Sequence, residues 1–169
     1  MAIFYGVTRK SQIFEMVADV VEAFKSPMEN TRATMELLLA TAAQETHTGE
    51  LRDGTPYRHG TGLMQFDPVG LEDIKTRPSA QRWIKIARER FGVDFSKVEH
   101  RELETAPLTS IIAARIKYKI VPYGIPHALE DQWLYYKKWY NSSAGAATKE
   151  EFYRNRAIIL KEFDAWNKG

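Results

Sequence analysis

The stretch Ala42 to Pro68, AAQETHTGELRDGTPYRHGTGLMQFDP, decides how the chain is read. Before it, Thr31 to Gln44 carries Leu37, Leu38, Leu39, Ala40, Ala42 and Ala43, which makes a helix apolar on nearly all sides. Such a helix belongs in the middle of a domain. It runs straight into Glu45, so a carboxylate is expected at the end of a buried helix. After it the texture changes. Gly49, Gly54, Gly60, Gly62 and Pro56 crowd a polar segment, and Arg52-Asp53-Gly54-Thr55 is a turn signal. The segment Gly49 to Phe66 is expected to form a small, irregular β-hairpin lobe.

Working outward, Ser11 to Phe24 places Ile13, Phe14, Val17, Val20, Val21 and Phe24 on one face of a helix. Ser11 is its expected N-cap, and Pro27 closes it by excluding the α region from the preceding residue. Beyond Pro68 the pattern is helical over 68–76, 79–91, 106–120, 127–140 and 148–167. Breaks fall at Pro78, Gly92 to Asp94, Pro122 to Pro126 and Ser142 to Ala147. Thr148 with Glu151 forms a capping box for the last helix. No repeat, linker or low-complexity tract divides the chain, so residues 1–169 are expected to form a single domain.

Glycoside cleavage needs a carboxylic acid that is still protonated near neutral pH, to donate a proton to the leaving oxygen. Burial supplies that property, because desolvation penalises the charged form. Glu45, at the end of an apolar helix and facing a glycine-rich lobe, has the setting for this role.

The order of Glu45-Thr46, then Gly62-Leu63-Met64-Gln65, then Trp139-Tyr140-Asn141-Ser142 resembles the lysozyme-like superfamily, above all lytic transglycosylases and goose-type lysozymes. There a helix delivers the catalytic Glu, usually followed by Ser, and a Gly-Leu-Met-Gln motif comes later. Here Thr46 stands where Ser is usual, and Ser-Ala-Gly stands where Gly-Pro-Gly is usual. The resemblance covers roughly residues 35 to 147. It implies an α+β, predominantly α-helical, lysozyme-like fold with a small β-hairpin lobe and a substrate cleft between lobes. It also implies that Tyr140 and Asn141 line the cleft, with Thr46, Met64 and Gln65 completing the substrate contacts. Met64 also reads as a core residue, and Gln65 equally as a partner of the surroundings of Glu45.

A second resemblance, to phage endolysins of the lysozyme type, rests on Glu45, Asp53 and Thr61 in that order. If Asp53 faces Glu45, it and Thr61 help a water attack, and the enzyme is a hydrolysing muramidase. If Asp53 only caps its turn, a lone Glu45 fits the transglycosylase pattern with 1,6-anhydro products. Tyr57, His59 and Phe66 are candidate sugar-facing groups or lids on the core, and Glu50 and Asp67 are alternative second carboxylates.

Other classes are disfavoured. The net charge of +2, from 24 basic and 22 acidic residues, does not by itself argue for nucleic acid, where a clustered basic face is expected. Trp133, Tyr135, Tyr136, Trp139 and Tyr140 fit a core helix whose lysines reach solvent. The absence of cysteine excludes disulfides and thiolate metal sites. Gln44-Glu45-Thr46-His47 lacks the paired histidines of a zincin helix, and neither P-loop nor nucleophile elbow is present. No metal or cofactor is expected, and no apolar run is long enough to insert in a membrane.

The expected activity is cleavage of the bond between N-acetylmuramic acid and N-acetylglucosamine in peptidoglycan glycan strands by a monomer of phage-lysin type. With no secretory signal evident, the expected setting is a host cytoplasm or phage particle, with action on the cell wall. The rivals are a non-enzymatic glycan-binding or structural protein and a chitinase-like enzyme.

Overall fold

The computed structural model describes residues 3–52, 60–141 and 145–169. Its architecture is predominantly helical. Among the described residues there are seven α-helices: α1 (Lys10–Phe24), α2 (Thr31–Thr46), α3 (Pro68–Thr76), α4 (Gln81–Phe91), α5 (Pro107–Lys119), α6 (Leu129–Tyr136) and α7 (Lys149–Lys168). Short 3-10 turns at Pro78–Ala80 and His100–Glu104 precede α4 and α5, and a π-helical turn, Lys137–Asn141, extends α6.

Two helices buried along most of their circumference organise the rest. In α2, Leu37, Leu38, Leu39, Ala40 and Ala42 have no exposed surface, and in α5 neither do Ile111, Ile112, Ala113, Ala114 and Ile116. Helices apolar all round can only be satisfied by neighbours on every side. Accordingly α2 packs against α1, α5, α6 and α7, and α5 against α1, α3 and α4. The one-sided stripe of α1, Ile13, Phe14, Val17, Val20, Val21 and Phe24, is buried throughout. At about 1.5–3 kcal/mol for each fully buried large apolar side chain, these faces dominate the stability of the fold. The buried apolar side chains form one continuous cluster.

Local chemistry sets the helix ends. Thr148 and Glu151 make the expected reciprocal cap of α7. At α1 the N-cap is Arg9 rather than Ser11, which lies inside the helix. The Gln12 side chain accepts from the backbone N–H groups of Thr8 and Arg9 at 2.7 and 3.1 Å, and so starts the helix earlier. Gly92, in the left-handed region (φ 68°), ends α4.

The expected β-hairpin lobe is not seen. Among the described residues of that segment, the sole strand-like feature is an antiparallel bridge between Thr61 and Phe66. Gly49 and Gly62 lie in turns, and the segment lacks the alternation of apolar and polar residues that pairs strands. Asp53, Tyr57 and His59 lie outside the described residues.

Candidate active site

Glu45 sits in the last turn of α2, and the chain reverses directly after it. His47 (φ 47°), Thr48 (φ 55°) and Gly49 (φ 88°) are all left-handed. Each non-glycine residue there costs about 1 kcal/mol. Four hydrogen bonds offset the cost: His47 N–H to Ala43 O (2.9 Å), Thr48 N–H to Ala42 O (3.0 Å), Leu51 N–H to Thr46 O (2.9 Å) and Gly49 N–H to Thr46 Oγ1 (3.1 Å).

Gly62-Leu63-Met64-Gln65 forms the tight loop that the Thr61–Phe66 bridge closes. A side chain at Gly62 (φ 82°) would collide with the carbonyl oxygen of Leu103, so the motif needs glycine there for both conformation and space. Leu63 and Met64 plug into the core with no exposed surface. Thr46 Oγ1 donates to Leu63 O (2.8 Å), Tyr140 OH to Met64 O (2.6 Å), and Met64 N–H to Ser110 Oγ (3.1 Å). His100 Nε2 lies 2.6 Å from Phe66 O, and because a carbonyl only accepts, this nitrogen carries the proton. The loop is thus tied to α2, the α6 extension, α5 and the 3-10 turn before α5.

Between the loop and the helices lies an open cavity of about 500 Å³, lined by Glu45, Gln65, Phe66, Asp67, Lys117 and Tyr140, with Gly60, Pro68, Val69 and Asn141 at its sides. The Glu45 carboxyl takes a 2.5 Å hydrogen bond from Tyr136 OH. Burial pushes its pKa up to about 7, against the lowering effects of that hydrogen bond and of Lys117. Desolvation outweighs both, so Glu45 holds a proton far above the usual carboxylate range. Burial and the neighbouring Glu45 push Tyr136 well above the usual phenol range, so Tyr136 stays protonated and donates. Tyr136 has no exposed surface and stacks on Tyr140 and Phe152, with ring centres 6.0 and 5.2 Å away.

The structure brings together Glu45, Gln65, Tyr140 and Asn141 of the expected set. Gln65 (φ 46°) reaches the cavity, with Nε2 donating to Gly62 O (3.0 Å). Asn141 is held by Lys137, whose Nζ donates to its Oδ1 (2.8 Å). Tyr140 is 8 % exposed and spends its hydroxyl on Met64 O, so it offers the cavity mainly a ring. Three other expected residues face inward. Thr46, Thr61 and Met64 have no exposed surface, and they shape the site from behind. Thr46, expected at the substrate, instead joins α2 to the motif loop.

Two participants were not expected from the sequence. Tyr136 reads as a core tyrosine, yet it stands one helical turn before Tyr140 and shares its face, which is the signal that could have found it. Lys117 reads as one more helical lysine. It lies in the cavity with Nζ 4.6 Å from the Tyr140 ring centre and 5.5 Å from that of Phe66. Asp67, anticipated as an alternative second carboxylate, lines the cavity and caps α3 by accepting from Gly70 N–H (2.5 Å).

A second cavity, of about 400 Å³, is lined by Glu29, Arg82, Trp83, Arg115, Lys119 and Tyr135, among others. Arg115 and Lys119 both donate to Glu29 Oε1, at 2.5 and 3.0 Å. Among the described residues no group of three or more His, Cys, Asp or Glu is placed to hold a metal ion. No helix of the described residues is long and apolar enough to cross a membrane. No family model, curated protein or solved structure matches the chain.

Proposed function

We propose that the protein is a peptidoglycan-degrading glycosidase, a muramidase of phage-lysin type with a lysozyme-like fold, whose substrate cleft is the cavity at Glu45. The observation that carries this reading is a carboxyl with its pKa raised to about 7, hydrogen-bonded by Tyr136, on the wall of an open cavity beside the Gly62–Gln65 loop. A proton held there at neutral pH is what a leaving glycosidic oxygen requires.

In the proposed reaction Glu45 protonates that oxygen as its bond to the anomeric carbon breaks. Glu45, now a carboxylate, then accepts a proton from the attacking water. Tyr136 keeps the carboxyl oriented through both steps. Gln65 and Asn141 offer amide groups to sugar hydroxyls, and the Tyr140 and Phe66 rings offer apolar surface to a sugar face.

One observation favours a second reading, a lytic transglycosylase. Among the described residues, the other carboxylate lining the cavity is Asp67, and its Oδ1 is engaged in capping α3. With a single free acid, the hydroxyl of the sugar itself becomes the nucleophile, and a 1,6-anhydro end results.

The test is mass spectrometry of soluble products from purified peptidoglycan, with the wild-type protein and with Glu45→Gln. Fragments from the wild type and none from the variant are expected. Reducing ends identify a muramidase, and 1,6-anhydro ends a transglycosylase. No fragments from folded wild-type protein would sink both readings and leave a glycan-binding or structural role.

A further inference from the structure

Lys117 lines the cavity, and the proposed cleavage steps do not use it. It lies on α5, where its neighbours Ile116 and Tyr118 are buried in the core, and it alone of the three turns into the cavity. Its ammonium donates to Tyr140 O (3.3 Å) and rests against the Tyr140 and Phe66 rings. Among the described residues it forms no ion pair within 4 Å, whereas Arg115 and Lys119 on the same helix share the carboxylate of Glu29. An ammonium has three donors, and the Tyr140 carbonyl takes one of them, the rings being contacts without a hydrogen-bond acceptor atom.

Taking a cation out of water is costly unless it is paired, and here the carboxyl groups around it do not pair with it directly. Glu45, with its pKa pushed up to about 7, is about half protonated at neutrality, and Asp67 spends one oxygen on Gly70 N–H at the N-terminus of α3, while both act on Lys117 through space rather than by direct contact. The Lys117 ammonium is therefore a cation on the cavity wall with no carboxylate within 4 Å among the described residues, next to the sugar-facing groups Gln65 and Asn141.

Resting on the glycosidase reading, we propose that Lys117 binds a free carboxylate of the glycan, and that the preferred substrate is a strand whose lactyl carboxyl groups carry no stem peptide. Within peptidoglycan the lactyl group of N-acetylmuramic acid is the acidic substituent of the sugar backbone. It is anionic when free and neutral when joined to a peptide through an amide. An ammonium inside a partly desolvated cavity distinguishes these two forms strongly, because a charge-assisted hydrogen bond replaces a neutral one. Amide hydrolysis is then the class of reaction that supplies the substrate.

The experiment uses the full chain with Glu45→Gln, which keeps the cavity and stops turnover. Its binding to a tetrasaccharide of alternating N-acetylglucosamine and N-acetylmuramic acid is measured by calorimetry. Two forms are compared: free lactyl carboxylates, and the same groups converted to primary amides. The carboxylate form is expected to bind about tenfold more tightly, as one charge-assisted hydrogen bond would give. Adding Lys117→Met should erase the ratio, while adding Lys117→Arg should largely keep it. Circular dichroism confirms that each variant is folded. A role confined to tuning Glu45 would leave the ratio unchanged in Lys117→Met, and that result overturns the proposal. Equal binding of the two forms by Glu45→Gln also overturns it, while leaving the glycan-cleaving reading intact. Binding of neither form, together with no cleavage by the wild type, removes both.

Discussion

The two cavities treat charge in opposite ways, although α5 serves both. Arg115 and Lys119, four residues apart, face one cavity, and Lys117, set between them, points away from that face toward the other. At the first, two cations close on one carboxylate, and Arg115 is 1 % exposed. These ions are paired directly, although two cations on one carboxylate leave a net positive charge, and Glu29 Oε2 and Arg115 Nε have no hydrogen-bond partner among the described residues. At the second, the acid is neutralised by a proton rather than by a partner, and the cation rests on aromatic rings. Internal pairing marks a structural site, and charge left without a close partner beside an open cavity marks a site with work to do on something else.

Substitutions at the two places should therefore fail in different ways. The largest effect is on turnover. Glu45→Gln should lower glycan cleavage by roughly a thousandfold, the scale of losing a general acid, with the fold retained. Product release from labelled peptidoglycan checks this, and residual activity near the wild-type level would erase the contrast. Next comes Glu29→Gln, which leaves Arg115 buried without its counter-charge. A loss of about 3–5 kcal/mol of stability is expected, read by urea unfolding, with cleavage retained below the new melting temperature. A change under 1 kcal/mol would show that the Arg115 network is not closed in the way described.

Glu45→Gln should also stabilise the protein, and here the sign is specific. The folded pKa of about 7 exceeds the ordinary value of 4.5, so the folded state binds the proton more tightly than the unfolded state. Native Glu45 costs nothing below about pH 4. Its cost grows between the two values as pH rises, and it is complete above about pH 8. The variant should thus gain of the order of 2 kcal/mol at pH 8, allowing for the solvent-facing side of the group, and nothing at pH 4. Melting curves at the two pH values decide it, and a gain at pH 4 alone would contradict the buried-acid reading. The smallest effect belongs to Tyr136→Phe. Removing a donor that favours the carboxylate should raise the Glu45 pKa further. The alkaline limb of the activity profile should then move up by up to about one pH unit. Movement toward lower pH would mean that Tyr136 does not donate to Glu45.

Much of this was legible in the sequence where the signal was local. The apolar stripe of α1, the all-round apolar α2 ending at Glu45 and the Thr148–Glu151 cap each follow from spacing alone. The Gly62–Gln65 motif marked one wall of the cavity. What stayed hidden depends on contacts between distant parts of the chain. Tyr136 meets Glu45 across 91 positions, and although it shares a helix face with Tyr140, spacing within one helix does not name its distant partner. Thr46 suggested a substrate contact because its hydroxyl adjoins the acid, but Leu63, 17 positions on, takes its proton. Lys117 is indistinguishable in sequence from a lysine on a solvated face. The expected hairpin is not seen among the described residues, for a different reason. Turn residues were present without the alternation that holds strands together.

The four-way anchoring of the Gly62–Gln65 loop also bears on motion. Its amides and carbonyls bond to groups on α5, α2 and the α6 extension, so the loop cannot open while those elements stay docked. The amide of Met64 should accordingly exchange its hydrogen for deuterium as slowly as the central amides of α2, through whole-molecule opening rather than local fraying. One wall of the cavity would then be as durable as the core itself, and heating should abolish the site and the helical structure in a single transition.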